Sequence, residues 1–143
     1  MKYLVQLSIV MMFLIHGCVK PPEYSDGLLE NIPAVINESD YFSLSILGDD
    51  YTDNKEWDLL FSTNPANLLL TTVIVKDVNI AASDSNFLYL INDLGDTVFN
   101  AIILNDFIFT SLDSLNVIGN PKKVIFDGKK FTGRLEYQMI INN

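Results

Sequence analysis

Six carboxylate or carboxamide side chains crowd into the stretch "GDDYTDNKEWD": Asp49, Asp50, Asp53, Asn54, Glu56 and Asp58. Oxygen-only ligands are what a calcium ion takes, and paired carboxylates flanking a glycosidic bond are what sugar hydrolysis needs. The spacing lacks the D-x-[DN]-x-[DN]-G pattern of a helix-flanked calcium loop, with its central glycine and distal glutamate. The plain reading is a solvated acidic turn. The functional reading is a surface for a basic partner or a cation, because like charges this dense repel one another until something offsets them. A chain of this size without a second domain also leaves little room for the deep cleft that a glycosidase requires.

The chain holds one histidine, His16, and one cysteine, Cys18, and both sit at the end of the same apolar run. Lys2 supplies a positive start, and Tyr3 to Ile15 supply an apolar core of the length found in secretory signals. A spanning helix needs about 20 apolar residues, and Pro21-Pro22 blocks extension of this run. The run ends in "IHGC", Ile15 to Cys18. These four residues resemble the lipobox of bacterial lipoproteins, with an aliphatic residue at minus three and a small residue at minus one from a cysteine. The resemblance covers residues 1–18. It implies that Cys18 receives a diacylglyceryl group through its sulfur, that the signal is cut just before it, and that the new amino group is acylated. Val19, where an aspartate would retain such a protein at the inner membrane, points by the same resemblance to the outer membrane if the cell has one. Two or more acyl chains together make a stable anchor where one is marginal.

Three segments follow: a signal peptide at 1–17, a lipidated Cys18 with a short tether to residue 26, and one domain at 27–143. The tether "VKPPEYSD" is biased to an extended polyproline form and reaches about 25 Å at ~3.1 Å per residue. The formal charge of −9 becomes one unit more negative once Lys2 leaves with the signal. Such acidity opposes nucleic-acid binding, which needs lysine and arginine against phosphate. It also opposes a grip on anionic headgroups, so the membrane contact falls to the acyl chains. With His16 removed and Cys18 blocked, the domain has no histidine or thiol for nucleophilic triads, zinc sites, haem attachment or disulfides. Arg134 is the lone arginine, so a bidentate phosphate clamp is not expected either. No cofactor is expected beyond the covalent lipid, with calcium on the acidic stretch as the one open option.

From Gly27 onward the patterning has period two. Tyr41 to Leu47 alternate as a half-buried strand, and Trp57 to Ser62 read as another after the acidic turn, with Trp57 suited to an inter-sheet position. Leu68 to Ile80 are too β-branched to prefer a helix, and their alternation breaks near Lys76-Asp77, suggesting a bulge or an edge. "FLYLI" and "TVFNAIIL" flank "NDLGD" as a hairpin, and "KVIF" and "FTGRLEYQMII" flank "DGKK" as another, with Asp127-Gly128 as the turn. In the last strand Phe131, Gly133, Leu135, Tyr137, Met139 and Ile141 share one face. Leu112 and Leu115 stand at helical spacing, which allows one short helix near 111–117. The expected fold is an all-β antiparallel sandwich of immunoglobulin-like type, with a small closed barrel as the alternative.

The function this supports is a membrane-anchored envelope lipoprotein that binds or scaffolds another envelope protein without catalysis, its oligomeric state left open. An inhibitor or immunity-type lipoprotein is the alternative, acting through the acidic stretch or through "STNPANL" (Ser62 to Leu68). That loop is similar in shape to the Asn-Pro loop of chagasin-like cysteine protease inhibitors, without their glycine-rich and Arg-Pro loops. A calcium-dependent adhesion or carbohydrate-binding module is third.

Overall fold

The computed structural model describes residues 27–142, and the signal, Cys18 and the tether lie outside them. The described chain is an antiparallel all-β sandwich, open at its flanks and not a closed barrel. Its elements are β1 (Ala34–Asn37), β2 (Tyr41–Asp58), β3 (Leu68–Lys76), β4 (Asn86–Asn92), β5 (Thr97–Ile103), β6 (Phe107–Ser114), a single helical turn α1 (Leu115–Ile118) and β7 (Pro121–Asn142).

Two of these strands are far longer than the rest, and they make the fold. β2 and β7 pair antiparallel from Tyr41↔Ile140 to Asp58↔Lys123, with register shifts between Gly48 and Tyr51 and between Tyr51 and Asp53. The resulting ribbon folds back on itself at those irregularities. Asn37, at the end of β1 and registered with Phe42 near the start of β2, receives a bond onto its side chain from Leu60 N–H (3.1 Å) and donates to the Asp58 carbonyl (2.8 Å). The two ends of β2 therefore meet again. The first half of β2 and the second half of β7 belong to one layer, in the order β1-β2-β7-β3-β6, while β4 pairs with residues 121–127 of β7 and carries β5 on its other side to form the second layer.

Alternation then fills the space between layers. Phe42, Leu44, Ile46, Val73, Leu135, Tyr137 and Met139 face inward from the first layer and Leu88, Leu90, Ile103, Val124 and Phe126 from the second, all at most 1% exposed. Phe99 of β5 stacks on Tyr137 with ring centroids 6.0 Å apart, a contact across the layers between strands that do not pair. Burial pushes the Tyr137 phenol well above its ordinary pKa, and its hydroxyl donates to Met139 Sδ at 3.1 Å. Each such aromatic contributes about 1.5–3 kcal/mol through the area it removes from water.

The fold-over is a glycine and phenylalanine construction. A Cβ on Gly48 would stand 2.5 Å from Phe131 Cδ1 and 2.6 Å from the Phe131 carbonyl oxygen, so only glycine lets β2 and β7 approach there. Gly133, at φ 143°, lies against the carbonyls of Lys76 and Asp77. Lys130, at φ 50°, turns the ribbon from one layer to the other.

Several local expectations change. Asp127-Gly128 does not close a hairpin: residues 121–142 are one strand, because Asp127 and Gly128 stay registered with Asn54 and Asp53 across the fold-over. Trp57 and Asp58 are the last residues of β2 and no separate strand runs to Ser62, since Leu59 N–H bonds to the Lys122 carbonyl and the chain then leaves the sheet. Trp57 is half-buried on the flank strand, packing against the core from the face it shares with its register partner Val124. β3 stops at Lys76 as the broken alternation implies, Asp77 taking φ 57°. The "NDLGD" hairpin forms, and the short helix is a single turn beginning at Leu115 while Leu112 remains in β6.

Candidate interaction surface

The six side chains of the acidic stretch are not gathered in a loop. All lie within β2, where strand alternation and the fold-over separate them. Asp49 and Asp50 sit at the bend. There the chain enters the domain: Asn31 N–H donates to the Leu47 carbonyl (2.8 Å), Asn31 Nδ2 donates to the Asp49 carbonyl (2.9 Å), and Asp49 N–H donates to Asn31 Oδ1 (2.8 Å).

Asp53, Asn54, Glu56 and Asp58 run down the flank of the second layer, Asp53 on the core-facing side and Asn54, Glu56 and Asp58 together on the outer one. Asp53 and Lys55 are registered with the inward-facing Gly128 and Phe126, and they pair with each other at 3.0 Å. The Lys55 hydrogen bond holds the Asp53 carboxyl below its ordinary pKa. Tyr51, raised by burial and then by Asp53, directs its hydroxyl toward that carboxylate at 3.4 Å. On the other side Glu56 pairs with Lys123 at 2.6 Å, which raises the lysine. Among the described residues no group of three or more histidine, cysteine, aspartate or glutamate side chains is placed to hold a metal ion.

The opposite end of the sandwich is built differently. Three connections meet there: residues 59–67 between β2 and β3, residues 93–96 between β4 and β5, and α1 with Gly119 and Asn120 before β7. Asn92, 5% exposed, is their hub. Its Oδ1 accepts from Leu94 N–H (3.0 Å) and Asp96 N–H (2.9 Å), and its Nδ2 donates to the Ile118 carbonyl (3.0 Å). Asp93 N–H donates to the Asn120 carbonyl (2.9 Å), and Asn120 Nδ2 returns a bond to Asp93 Oδ2 (2.8 Å). That side-chain bond is the main cause of the lowered Asp93 pKa.

The loop Ser62 to Leu68 belongs to this cluster. Thr63 Oγ1 donates to Asn120 Oδ1 at 2.9 Å, and Leu115 N–H donates to the Asn67 carbonyl at 3.1 Å. Within the loop, Asn64 N–H bonds to Asn67 Oδ1 (2.7 Å) and Ala66 N–H to Asn64 Oδ1 (3.0 Å), an Asx-turn arrangement that fixes Pro65 at an exposed tip.

Held on this polar scaffold are two large apolar side chains in the open. Leu94 and Val117 are each 80% exposed, and Leu60 nearby in the first connection is 63% exposed. Sequence patterning did not single out Leu94 or Val117, because Leu94 stands alone in a polar turn and Val117 sits beside Ile118 in a helical turn too short to show a periodic face. The signal that was available is the asparagine and aspartate content of "NDLGD" and "NVIGNP", residue types that bond their own turns and so rigidify a tip.

No family model matches the chain, and no curated protein matches it. Solved structures with β-rich folds do. A Bacillus endospore appendage, from a family of disulfide-linked pili, aligns at 7% identity and TM-score 0.41, covering 77% of this chain and 88% of that one. A carbohydrate-binding module, CBM4, aligns at 12% identity and TM-score 0.33 over 77% and 78% of the two chains. Accessory secretory protein 1, 2 and 3 of Streptococcus pneumoniae aligns at 14% identity and TM-score 0.33 over 77% and 84%.

Proposed function

We propose that this chain is a lipid-anchored envelope protein that binds another envelope protein, without catalysis, through the end of the sandwich that lies away from its anchor. Cys18 is the anchored residue, on the strength of "IHGC" and the short charged-then-apolar run before it. The observation that carries the binding end is the placement of Leu94 and Val117, each 80% exposed, on connections cross-bonded through Asn92, Asp93 and Asn120. Rigid loops that hold apolar side chains in water lose little entropy when a partner covers them. The first described residues bond to the fold-over at Leu47 and Asp49, so an anchor that precedes them would hold that pole to the membrane and leave this one free for a partner.

The acidic flank takes a secondary part. Asp53 and Glu56 already have lysine partners, and Asp49 and Asp50 stand at the pole where the tether arrives. An inhibitor is the second reading, favoured by the place of the Ser62 to Leu68 loop in the same cluster with Pro65 exposed at its tip.

The anchor is tested by labelling cells with a radioactive fatty acid and measuring the mass of the mature amino terminus. The parent chain should carry label and partition with membranes; Cys18→Ser should lose the label and accumulate uncut. A parent chain without lipid would remove the basis of the reading.

A further inference from the structure

We propose that the fold-over pole docks on the membrane that holds Cys18, with Leu29, Ile32 and Leu104 entering the apolar boundary of the bilayer. This deepens the proposed function and rests on its reading of Cys18 as the lipid anchor.

A line of hydrogen bonds runs across this pole and ties separate segments of the chain together. Asn31 exchanges side-chain bonds with the Asp49 backbone (2.9 and 2.8 Å), Asp50 N–H donates to Thr132 Oγ1 (3.0 Å), and Asn79 N–H donates to the Thr132 carbonyl (3.0 Å). Val78 N–H then donates to Asp106 Oδ1 at 2.9 Å. The entry segment before β1, the bends of β2 and β7, the β3–β4 connection and the β5–β6 turn therefore hold one another in place.

On this frame three large aliphatic side chains stand in water. Leu29 is 64% exposed, Ile32 56% and Leu104 55%. Leu29 and Ile32 share one turn, closed by Ile32 N–H on the Leu29 carbonyl (3.3 Å) and pinned by Asn31 N–H on the Leu47 carbonyl (2.8 Å). Leu104 opens the turn that Asp106 fixes. A single exposed aliphatic residue needs no explanation. What gives these three a partner is their position.

Eight residues, Val19 to Asp26, separate Cys18 from Gly27, and a chain of that length spans at most about 30 Å even when fully extended. Gly27 leads directly into the turn of Leu29 and Ile32, so an anchor on Cys18 keeps this pole beside the bilayer. A few aliphatic side chains bind a membrane only weakly from solution. Behind an acyl anchor the same contact becomes intramolecular, so the bilayer is present at high effective concentration and a weak insertion suffices.

The charges of the pole set how deep it goes and on which lipid. Glu30, Asp49, Asp50, Asp77 and Asp106 outnumber Lys76 and Lys130, all of them exposed, while Lys129 is paired with Asp84 at 3.0 Å. The carboxylates stay at headgroup level, so insertion is shallow and anionic headgroups oppose it. Docked in this way, the domain turns the pole of Leu94 and Val117 away from the bilayer.

The test uses the full lipidated chain, transferred from mild detergent into vesicles of phosphatidylcholine and phosphatidylethanolamine. The parent, whose one cysteine sulfur carries lipid, should take no thiol reagent even in denaturant. Leu29→Cys, Leu104→Cys and Leu94→Cys, each labelled with an environment-sensitive fluorophore, should keep the parent's β-type circular dichroism. A docked side chain lies about 5–10 Å into the headgroup and acyl boundary, so quenching by a nitroxide on the lipid chain should be at least about threefold stronger at 29 and 104 than at 94. Ile32→Asp should reduce the quenching at 104. Added phosphatidylglycerol should reduce it as well, and salt should restore it. Equal quenching at 104 and 94, quenching at 104 indifferent to Ile32→Asp, or quenching that rises with phosphatidylglycerol would each overturn the docking while Cys18 stays blocked. A parent that takes the thiol reagent would overturn the anchor reading, and the docking with it.

Discussion

The two poles of the sandwich are held by opposite physics. At the fold-over, β2 and β7 approach so closely that Gly48 has no room for a Cβ, and behind it Phe126 stacks on Tyr51 and meets Phe131 edge-on, with ring centroids 5.9 and 5.7 Å apart. At the other pole the backbone is secured by asparagine and aspartate side chains, and Leu94 and Val117 are left in water. Steric contact between buried groups makes the first pole intolerant of change. Side-chain hydrogen bonds let the second keep its shape without burying its apolar residues, which frees them to be covered by something else.

The largest effect should come from breaking the first pole. Gly48→Val would drive a branched side chain into the Phe131 ring and carbonyl, and the backbone on both sides is fixed by pairing. Overpacking of this kind costs about 3 kcal/mol or more. The denaturant midpoint should fall accordingly. Gly128→Ala meets the end of the Phe126 ring and no backbone, so it should cost less; equal losses would mean that the close approach at Gly48 is not what fixes the fold-over.

A middle-sized effect should come from the polar hub. Asn92→Ala removes three bonds at a buried position and leaves the Ile118 carbonyl and the Leu94 and Asp96 amides to find other partners. The expected loss is about 2 kcal/mol. Amide exchange should quicken at residues 93–96 and 118–120 while the β2–β7 ribbon keeps its protection. Exchange that quickens everywhere at once would mean that the two poles are not separable.

This division also explains what could be read in the sequence. The inward row from Phe131 to Ile141 was legible because a long core strand alternates without interruption. The "NDLGD" hairpin was legible because its turn chemistry is local. Asp127-Gly128 misled for the same reason: the dipeptide suits a tight turn, and only its pairing with Asn54 and Asp53, more than seventy positions away, makes it part of a continuous strand. The acidic stretch read as a loop because its charges hide the alternation of a flank strand, where solvent-accessible Asp53 and Lys55, registered with Gly128 and Phe126, take places that apolar residues would hold in a central strand. Nothing local announces that Asn92 and Asn120 meet, so the polar pole could not be assembled without the structure.

A smaller effect on stability, with a larger one on binding, is expected at the exposed pair. Leu94→Asp and Val117→Asp alter side chains already 80% exposed, so each should change stability by no more than about 0.5 kcal/mol. Crosslinking in the native envelope should nonetheless lose the partner captured by the parent chain. Retained capture in the double variant would move the binding surface elsewhere, and Asp49→Asn with Asp50→Asn would then be the next pair to examine.

The smallest expected effect is in acid, and its sign separates the poles once more. The folded Asp93 carboxyl lies below its ordinary pKa chiefly because Asn120 bonds to it, and Asp53 lies below it chiefly because of Lys55. Below the ordinary aspartate value of about 3.9 the unfolded chain takes up these protons first, so each group's contribution is whole above that pH and drains away as the pH falls through the folded value. Both carboxylates are exposed, so the shift in melting temperature at neutral pH should be slight. Asp93→Asn should flatten the acid limb of stability against pH and leave the β2–β7 ribbon's exchange protection as it was. Asp53→Asn should flatten the same limb, but the amides that lose protection in acid should be those of β2 and not those of the Asn92 loops. If acid loosens both sets together in either variant, the sandwich unfolds as one unit and the polar pole has no independence to lend to binding.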